Sequence, residues 1–375
     1  MKQSLLRRAA LPAALVLSLG LGACGAANET TTPAGESSAT GGADSGAEAL
    51  SGAINGAGSS AQQAAMQAWI AGFQGEQPDV TVNYDPSGSG AGREQFLSGA
   101  VAFAGSDAYL KDEELEAAKE RCNGGDAIDL PIYVSPIAVV YNLPGVAELK
   151  LSGPTLAKIF NGSITTWNAP EIAAENPDAQ LPATAITPVH RSDKSGTTEN
   201  FTEYLAAAGE GAWTEEPSGE WKLPGGEAAQ GTSGVVSAVK AGEGTIGYAD
   251  ASQAGDLGIV SVKVGEEFVQ PTAEAAAAVV DASSQVEGRP EGDIAIDLAR
   301  DTTEAGAYPI VLVSYHIACT KYEDEQTAEL VKSFLGYVAS DAGQQEAAKA
   351  AGSAPISKKL AATVSDSIES ISAGS

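Results

Sequence analysis

The chain contains few basic residues, histidines and cysteines for its length. Its 375 residues include 21 lysines and arginines against 49 aspartates and glutamates (net charge −28), two histidines and three cysteines. So acidic a chain lacks the basic face with which proteins bind nucleic acid or attach electrostatically to anionic membranes. His190 and His316 belong to no cluster with metal-ligand spacing, so the sequence predicts no metal site and no cofactor. An anionic ligand remains compatible with this charge, because local dipoles and hydrogen bonds act inside a cleft.

The N-terminal segment has the features of a bacterial secretion signal. A basic start precedes an apolar run over residues 9–23, which is too short to span a membrane. Leu-Gly-Ala-Cys at 21–24 looks like a lipobox, so residues 1–23 are predicted to be a lipoprotein signal peptide and Cys24 the lipid attachment point. The alternative is an ordinary signal peptide with a chance cysteine. Residues 24–49 are rich in Ser, Thr, Gly and Ala and are predicted to form a flexible tether.

From about residue 50 the chain alternates between strand-like and helix-like runs. Strand-like runs cover 80–84, 132–143, 244–248 and 310–318, and helical spacing covers 157–160 and 331–338. About 320 residues remain in this part, which suits two domains of ordinary size. The alternation predicts an α/β class with mixed sheets.

Cys122 and Cys319 remain as an even pair once Cys24 is assigned to lipid. In an oxidising compartment such a pair favours a disulfide, and two buried free thiols are the alternative.

The segment 191–198 combines one arginine with several hydroxyls and a glycine. A strand-like run ends just before it at Val189, and a helix-like run with Phe201 and Leu205 follows. A polar loop that opens a helix presents unpaired N–H groups and the positive end of the helix dipole, and Arg191 adds a planar fork suited to an oxyanion. A simple N-cap is the alternative for the loop alone.

Three further loops of small and hydroxyl residues lie at strand–helix junctions. They are Gly-Ala-Gly-Ser-Ser at 56–60, Ser-Gly-Ser-Gly-Ala-Gly at 87–92 and Phe-Ala-Gly-Ser-Asp-Ala at 103–108. Ser60 and Gln63 have the spacing of a capping box. The first loop lacks the lysine and spacing of a nucleotide P-loop, so nucleotide binding is not supported.

Asp107 is an unusual residue to find in a set of anion loops. A carboxylate can accept a hydrogen bond from a ligand that carries a proton. A fully deprotonated oxyanion such as sulfate would place an acceptor against an acceptor, which is repulsive. Asp107 therefore favours a protonated oxyanion over sulfate or molybdate.

Taken together, these motifs resemble the phosphate-binding proteins of bacterial Pst-type phosphate ABC transporters. The resemblance covers the whole chain after the tether. It is carried by the motifs at 56–60, 88–92, 105–107, 141–145 (Tyr-Asn-Leu-Pro-Gly), 164–168 (Ile-Thr-Thr-Trp-Asn) and 191–197. It implies a two-lobed α/β periplasmic-binding-protein fold of type II, which closes on its ligand like a flytrap and has mixed sheets.

On this resemblance, lobe one comprises residues 50–134 and 310–375, and lobe two comprises residues 135–309. Cys122 and Cys319 then both lie in lobe one, so a bridge between them leaves the hinge free. The resemblance further implies an extracytoplasmic protein anchored by lipid, with inorganic phosphate as ligand, permease subunits as partner and a monomeric state.

The resemblance also implies which residues hold phosphate. From lobe one, the hydroxyls of Ser60 and Ser89 and the backbone N–H of Ala61 are expected to donate, and Asp107 to accept the phosphate proton. This chain departs from the family's frequent residues at two of these positions, with Ser60 in place of Thr and Ala61 in place of Phe.

From lobe two, Arg191 is expected to supply the charge and Asp193 to orient it. Three more residues are expected to complete the site: Ser195, Gly196 and Thr197.

Three other functions compete with this interpretation. A secreted phosphatase would need a nucleophile and a base, but Ser195 lies outside a nucleophile-elbow pattern and His190 looks structural. Another oxyanion in the same fold is disfavoured by Asp107. A structural surface lipoprotein without ligand is disfavoured because the expected phosphate-binding residues are intact.

Overall fold

The computed structural model describes residues 50–374. The predicted signal peptide, Cys24 and the predicted tether lie outside the described residues. The strands are β1 Gly52–Gly58, β2 Val80–Asp85, β3 Phe103–Ser106, β4 Ala127–Asn142, β5 Leu149–Leu151, β6 Thr187–Arg191, β7 Glu227–Ala229, β8 Thr245–Asp250, β9 Gly258–Val264, β10 Glu267–Val269, β11 Ser284–Gln285, β12 Ile296–Asp297, β13 Val311–Cys319, β14 Lys321–Tyr322 and β15 Ser372–Ala373.

The helices alternate with these strands. They are α1 Gln63–Glu76, α2 Ser89–Leu97, α3 Asp112–Arg121, α4 Gly153–Phe160, α5 Pro170–Glu175, α6 Gly196–Ala208, α7 Gly231–Ala241, α8 Ala273–Asp281, α9 Glu325–Ala339, α10 Asp341–Ala351 and α11 Lys358–Glu369. The predicted α/β class with mixed sheets is confirmed. Among residues 50–374, no helix combines the length and apolar composition needed to cross a membrane.

The largest sheet has the strand order β2-β1-β3-β13-β4-β8-β6-β7, with β9, β5 and β10 branching from it. Strand β4 joins its two parts, because residues 127–136 pair with β13 and residues 137–142 pair with β8. Pro136 lies at this change of partner. Proline has no N–H to donate to a ladder, so it is suited to a position where pairing is interrupted.

Both parts of the sheet direct the carboxyl ends of parallel strands toward helix-opening loops. In the first part, β1 pairs in parallel with β2 and with β3. In the second part, β6 pairs in parallel with β7 and with β8. In open α/β sheets, ligands bind outside the carboxyl ends of such strands. The loops that the sequence predicts as anion sites all lie at these ends.

A disulfide joins Cys122, at the end of α3, to Cys319, at the end of β13. Both cysteines are fully buried, and the sequence separation between them is 197 residues. A cross-link stabilises the fold mainly by restricting the unfolded chain, and a long loop increases that effect.

The helix start at α1 differs from the sequence prediction. The N-cap of α1 is Gln62, and it makes no side-chain cap bond, so the predicted capping box of Ser60 and Gln63 is wrong. The hydroxyl of Ser60 lies 3.1 Å from Oγ1 of Thr232 and accepts a hydrogen bond from the Thr232 N–H at 3.1 Å. Ser60 is therefore bonded to Thr232 at the start of α7 and makes no capping box with Gln63.

His316 on β13 is a buried polar residue in an aromatic part of the core. Its ring lies 5.5 Å from the rings of Trp69 and Phe103 and 6.3 Å from that of Phe334. Neither ring nitrogen has a hydrogen-bond partner within the described residues. Burial lowers the pKa of His316 to about 3, so the imidazole is neutral at physiological pH.

We predict that His316 makes the protein sensitive to acid. An unfolded histidine titrates near pH 6.5, so below that pH the unfolded chain binds a proton that the folded chain excludes. Stability is therefore full above pH 6.5 and falls as the pH decreases. Between pH 7 and pH 5 the wild type should lose about 2 kcal/mol of unfolding free energy relative to His316→Phe. Urea unfolding at both pH values measures this difference, and parallel pH dependences for the two proteins would contradict it.

Candidate functional site

Asp107 lies at the centre of a group of buried polar side chains. It directly follows β3, and only 3% of its surface is exposed. Its Oδ1 accepts a hydrogen bond from Ser314 Oγ at 2.9 Å, and its Oδ2 accepts one from Thr197 Oγ1 at 3.0 Å. Its N–H donates to Ser89 Oγ at 3.1 Å. The side chains of three distant segments therefore meet at Asp107, and two of them bond to its carboxylate.

Two opposing influences act on the Asp107 carboxylate. Burial raises its pKa above the usual value, because removal from water penalises the charged form. Hydroxyl donors oppose this rise by stabilising the charge: Ser59, Ser314 and Thr197. The positive charge of Arg191 acts in the same direction as these donors.

Arg191 ends β6 and is held by Asp193 two residues later. Its Nε donates to Asp193 Oδ1 at 2.8 Å, and its Nη2 donates to Asp193 Oδ2 at 2.5 Å. Burial acts to raise the pKa of Asp193, but the bonds and charge of Arg191 hold it below its usual value. The N–H of Gly231 also donates to Asp193, at 3.0 Å. Within the described residues Nη1 of Arg191 has no hydrogen-bond partner, so this edge of the guanidinium remains available to a ligand.

The N-terminus of α6 adds unpaired backbone donors to the group. Ser195 is the N-cap, and its Oγ accepts a hydrogen bond from the N–H of Thr198 at 3.2 Å. The next two residues, Gly196 and Thr197, have N–H groups with no acceptor among the described residues. Unpaired N–H groups and the helix dipole together favour an anion at this point.

Gly196 allows the loops to approach one another closely. A Cβ on this residue would lie 2.7 Å from both Asp107 Cβ and Ser89 Oγ. Opposite it, Gly88 adopts a φ of 103°, and a Cβ there would lie 2.4 Å from Asp193 Oδ2. Glycine is required at both positions for steric reasons, and at Gly88 also for its backbone conformation.

The first glycine loop contacts the second part of the sheet through backbone groups. The side chain of Gln253 donates to the carbonyls of Ser60 and Ala61, at 2.9 and 3.1 Å. The N–H of Ala61, which the family resemblance assigns to the ligand, donates to Ser59 Oγ at 3.1 Å in this structure. Ser60 therefore connects to Arg191 indirectly, through the loop that contains Gly231 and Thr232.

Several residues of this group are absent from the sequence-based set. Thr232 lies in Gly-Thr-Ser-Gly at 231–234, a glycine-rich loop that opens α7 and so carries the same signal as the predicted loops. Ser314 lies in an apolar strand, beside a bulge where the register of β13 against β4 shifts. No local pattern in the sequence distinguishes Ser314.

The two histidines lie outside the cluster of Asp107 contacts. His190 stacks on Trp221 with 5.0 Å between ring centroids, and its Nδ1 lies 3.0 Å from the carbonyl oxygen of Arg191. Within residues 50–374, no group of three or more His, Cys, Asp and Glu side chains is arranged to hold a metal ion.

The cluster around Asp107 combines several hydrogen-bond donors with one fixed acceptor, the Asp107 carboxylate. This combination suits a tetrahedral oxyanion that carries a proton.

Comparisons with known proteins place the chain in a family. A model of the PBP superfamily domain matches residues 31–342. The phosphate-binding protein PstS 3 of Mycobacterium tuberculosis is 42% identical over 272 residues, which cover 70% of this chain and 72% of the relative. The phosphate-binding protein PstS 2 of the same organism is 38% identical over 303 residues, covering 79% and 80%. The chain belongs to the PBP superfamily and to the PstS family within it.

A solved structure shares the fold of this PstS-family chain. It is a high-affinity periplasmic phosphate-binding protein (PfluDING) bound with phosphate, with a TM-score of 0.68 and 24% identity. The match covers 84% of this chain and 93% of the other. The predicted two-lobed periplasmic-binding-protein fold is thereby confirmed, and the family is one of substrate-binding proteins.

We predict that Asp193 is needed mainly to balance the buried charge of Arg191. Asp193→Asn should lower the free energy of unfolding by about 2 kcal/mol or more, because it leaves a buried guanidinium without its counter-charge. The side chain of Arg191 is 2% exposed, which makes compensation by water ineffective. Urea unfolding at low ionic strength measures the loss.

The control for this prediction is Asp256→Asn. Asp256 pairs with Lys240 at 2.7 Å, but both side chains are more than half exposed. Exposed pairs contribute little to stability, so no measurable change is expected. Equal losses in the two variants would contradict the role assigned to Asp193.

Proposed function

We propose that this chain binds inorganic phosphate outside the cytoplasm and delivers it to the permease of a phosphate ABC transporter. The relatives named as phosphate-binding proteins support the ligand class. The observation that carries the proposal is the buried carboxylate of Asp107, which accepts hydrogen bonds from Thr197 and Ser314 in separate parts of the chain. It acts as a fixed acceptor for the proton that phosphate retains at neutral pH.

The proposed phosphate cage draws on both parts of the sheet. Nη1 of Arg191 donates a charge-assisted hydrogen bond to the anion, and the bidentate Asp193 keeps the guanidinium in place. The remaining contacts come from neutral donors. They are the hydroxyls of Ser60, Ser89 and Ser195 and the N–H groups of Ala61, Gly196 and Thr197, while the Thr197 hydroxyl donates to Asp107. For Ala61 to take part, its N–H must exchange its present acceptor, Ser59 Oγ, for a phosphate oxygen.

Selectivity in this proposal comes from the acceptor and not from the donors. Sulfate has the same shape as phosphate but no proton to donate at neutral pH, so one of its oxygens would face the Asp107 carboxylate. A buried acceptor without a donor costs the full desolvation of that group. Arsenate keeps a proton and a similar shape, so it should bind as phosphate does.

We place the boundary between the lobes at the two strands that connect them. In this division residues 50–134 and 310–375 form lobe one, and residues 135–309 form lobe two. The change of partner along β4 at Pro136 and the start of β13 at Val311 lie close to these boundaries. The disulfide then connects two segments of lobe one and does not restrict the hinge.

We further propose that the protein is secreted and held at the outer face of the membrane by lipid on Cys24. Residues 1–23 act as the lipoprotein signal peptide, and residues 24–49 form the tether in this proposal. The mature protein acts as a monomer that binds without catalysis and needs no metal or cofactor.

The proposal predicts how Asp107→Asn changes ligand preference. By calorimetry, the wild type should bind phosphate about a hundredfold more tightly than sulfate, since one unpaired buried acceptor costs about 3 kcal/mol. Asp107→Asn introduces an N–H donor in place of one acceptor oxygen. It should weaken phosphate binding and strengthen sulfate binding, so that the ratio of the two affinities becomes smaller.

Asp85→Asn is the matched control for this experiment. Asp85 ends β2 at the same edge of the sheet but is exposed, so its replacement should leave the phosphate-to-sulfate ratio unchanged. Equal affinity of the unmodified protein for phosphate and sulfate would refute the proposed function.

A further inference from the structure

Asn200 connects the Asp107 loop to the start of α6. This residue lies in the second turn of α6, with 4% of its surface exposed. Its Nδ2 donates to the carbonyl of Asp107 at 2.6 Å and to the carbonyl of Gly196 at 2.8 Å. Both acceptors are carbonyl oxygens, so only the NH₂ end of the amide can face them. The bridge therefore depends on the orientation of the amide.

Arg300 fixes that orientation from the opposite side. It lies between β12 and β13, and its Nη2 donates to Asn200 Oδ1 and, at 2.9 Å, to Glu203 Oε2. Its Nη1 donates to the carbonyl of Val311 at 2.5 Å. A planar guanidinium cannot accept a hydrogen bond, so it tolerates only the oxygen end of the Asn200 amide. Arg300 thereby connects α6 to the first residue of β13, which lies just across the proposed lobe boundary.

Packing alone does not hold these side chains in place. Asp107, Asn200 and Arg300 line one side of a cavity of about 520 Å³. A side chain beside open space lacks the surrounding contacts that fix a close-packed core residue. The position of the Asn200 amide is therefore set largely by its hydrogen bonds.

The charge of Arg300 is also an expensive way to gain stability. Burial lowers its pKa, and the ion pair with Glu203 acts against that shift. The side chain of Glu203 is 41% exposed, and an ion pair that water reaches contributes little to stability. The cost of burying the Arg300 charge is better explained by its role in orienting the Asn200 amide than by a gain in stability.

We propose that Arg300 and Asn200 form an interlobe latch, in which Arg300 orients the Asn200 amide and the amide holds the Asp107 loop against the N-terminus of α6. The latch sets how long the anion stays enclosed. Both are positioning residues, because they act on the backbone carbonyls of Asp107 and Gly196 and not on the anion. This inference rests on the proposed function, since it concerns release of phosphate from the same site.

The latch predicts a kinetic effect with a specific pattern. Asn200→Leu keeps the side-chain volume but removes the bridge, and Arg300→Met keeps most of the stem but removes the orienting group. Each should raise the phosphate release rate by about tenfold or more, since each weakens or removes the bond between Asn200 and the Asp107 carbonyl, which joins the two lobes. The association rate should change much less. A rapid-filtration chase of bound radiolabelled phosphate with unlabelled phosphate measures release.

The double variant distinguishes a shared latch from two independent effects. If Arg300 acts through Asn200, Asn200→Leu/Arg300→Met should release phosphate no faster than the faster single variant. A release rate of the double variant that is raised by the product of the two single effects would overturn the proposal. If Arg300→Met fails to fold, Asn200→Leu tests the latch alone, because it leaves the bonds of Arg300 to Glu203 and Val311 in place.

Arg121→Met is the matched control. Arg121 is a partly buried arginine whose Nε and Nη2 donate to the carbonyls of Phe96 and Val101 at 3.1 and 3.2 Å, so these bonds stay within lobe one and do not reach α6. Its replacement should reduce stability without changing the release rate. Unchanged release in both latch variants would overturn the latch alone. Absence of phosphate binding by the unmodified protein would overturn the proposed function, and the latch with it.

Discussion

The Asp107 carboxylate receives hydrogen bonds from Ser314 on β13 and Thr197 on α6, and its own N–H donates to Ser89 on α2. A buried charge of this kind is unfavourable unless donors satisfy it. The close approach of the loops therefore depends on the same contacts that stabilise the charged form of the carboxylate. Gly196 permits the approach, since any larger residue would strike Asp107.

Arg191 and Asp193 form a buried ion pair beside Asp107. The pKa of Asp193 is lowered by its partner, whereas burial raises that of Asp107. Their opposite charges balance across two hydrogen bonds, so the pair contributes little net charge to the site. A chain of net charge −28 can therefore still bind an anion, because a guanidinium edge and helix N-termini face the ligand inside the site. In the proposed function, donors attract the anion and Asp107 selects its protonated form.

The sequence predicts those parts of the fold and candidate site that have local signals. Glycine- and serine-rich loops between strand and helix patterns identify the Ser60, Ser89 and Ser195 loops, and Asp107 stands out as a carboxylate among them. Two features have no such signal. Ser314 lies within an apolar strand, and the Asn200–Arg300 contact joins residues 100 positions apart. The capping box at Ser60 is wrong because a distant loop competes for the same hydroxyl.

The central claim is that Asp107 accepts a proton from the bound anion. A high-resolution crystal structure of the protein with phosphate tests it most directly. We predict one phosphate oxygen at about 2.5–2.7 Å from an Asp107 carboxylate oxygen, the distance of a charge-assisted O–H···O bond, and another on Nη1 of Arg191. A phosphate bound with the Asp107 carboxylate turned away from it, or held elsewhere on the protein, would contradict the account.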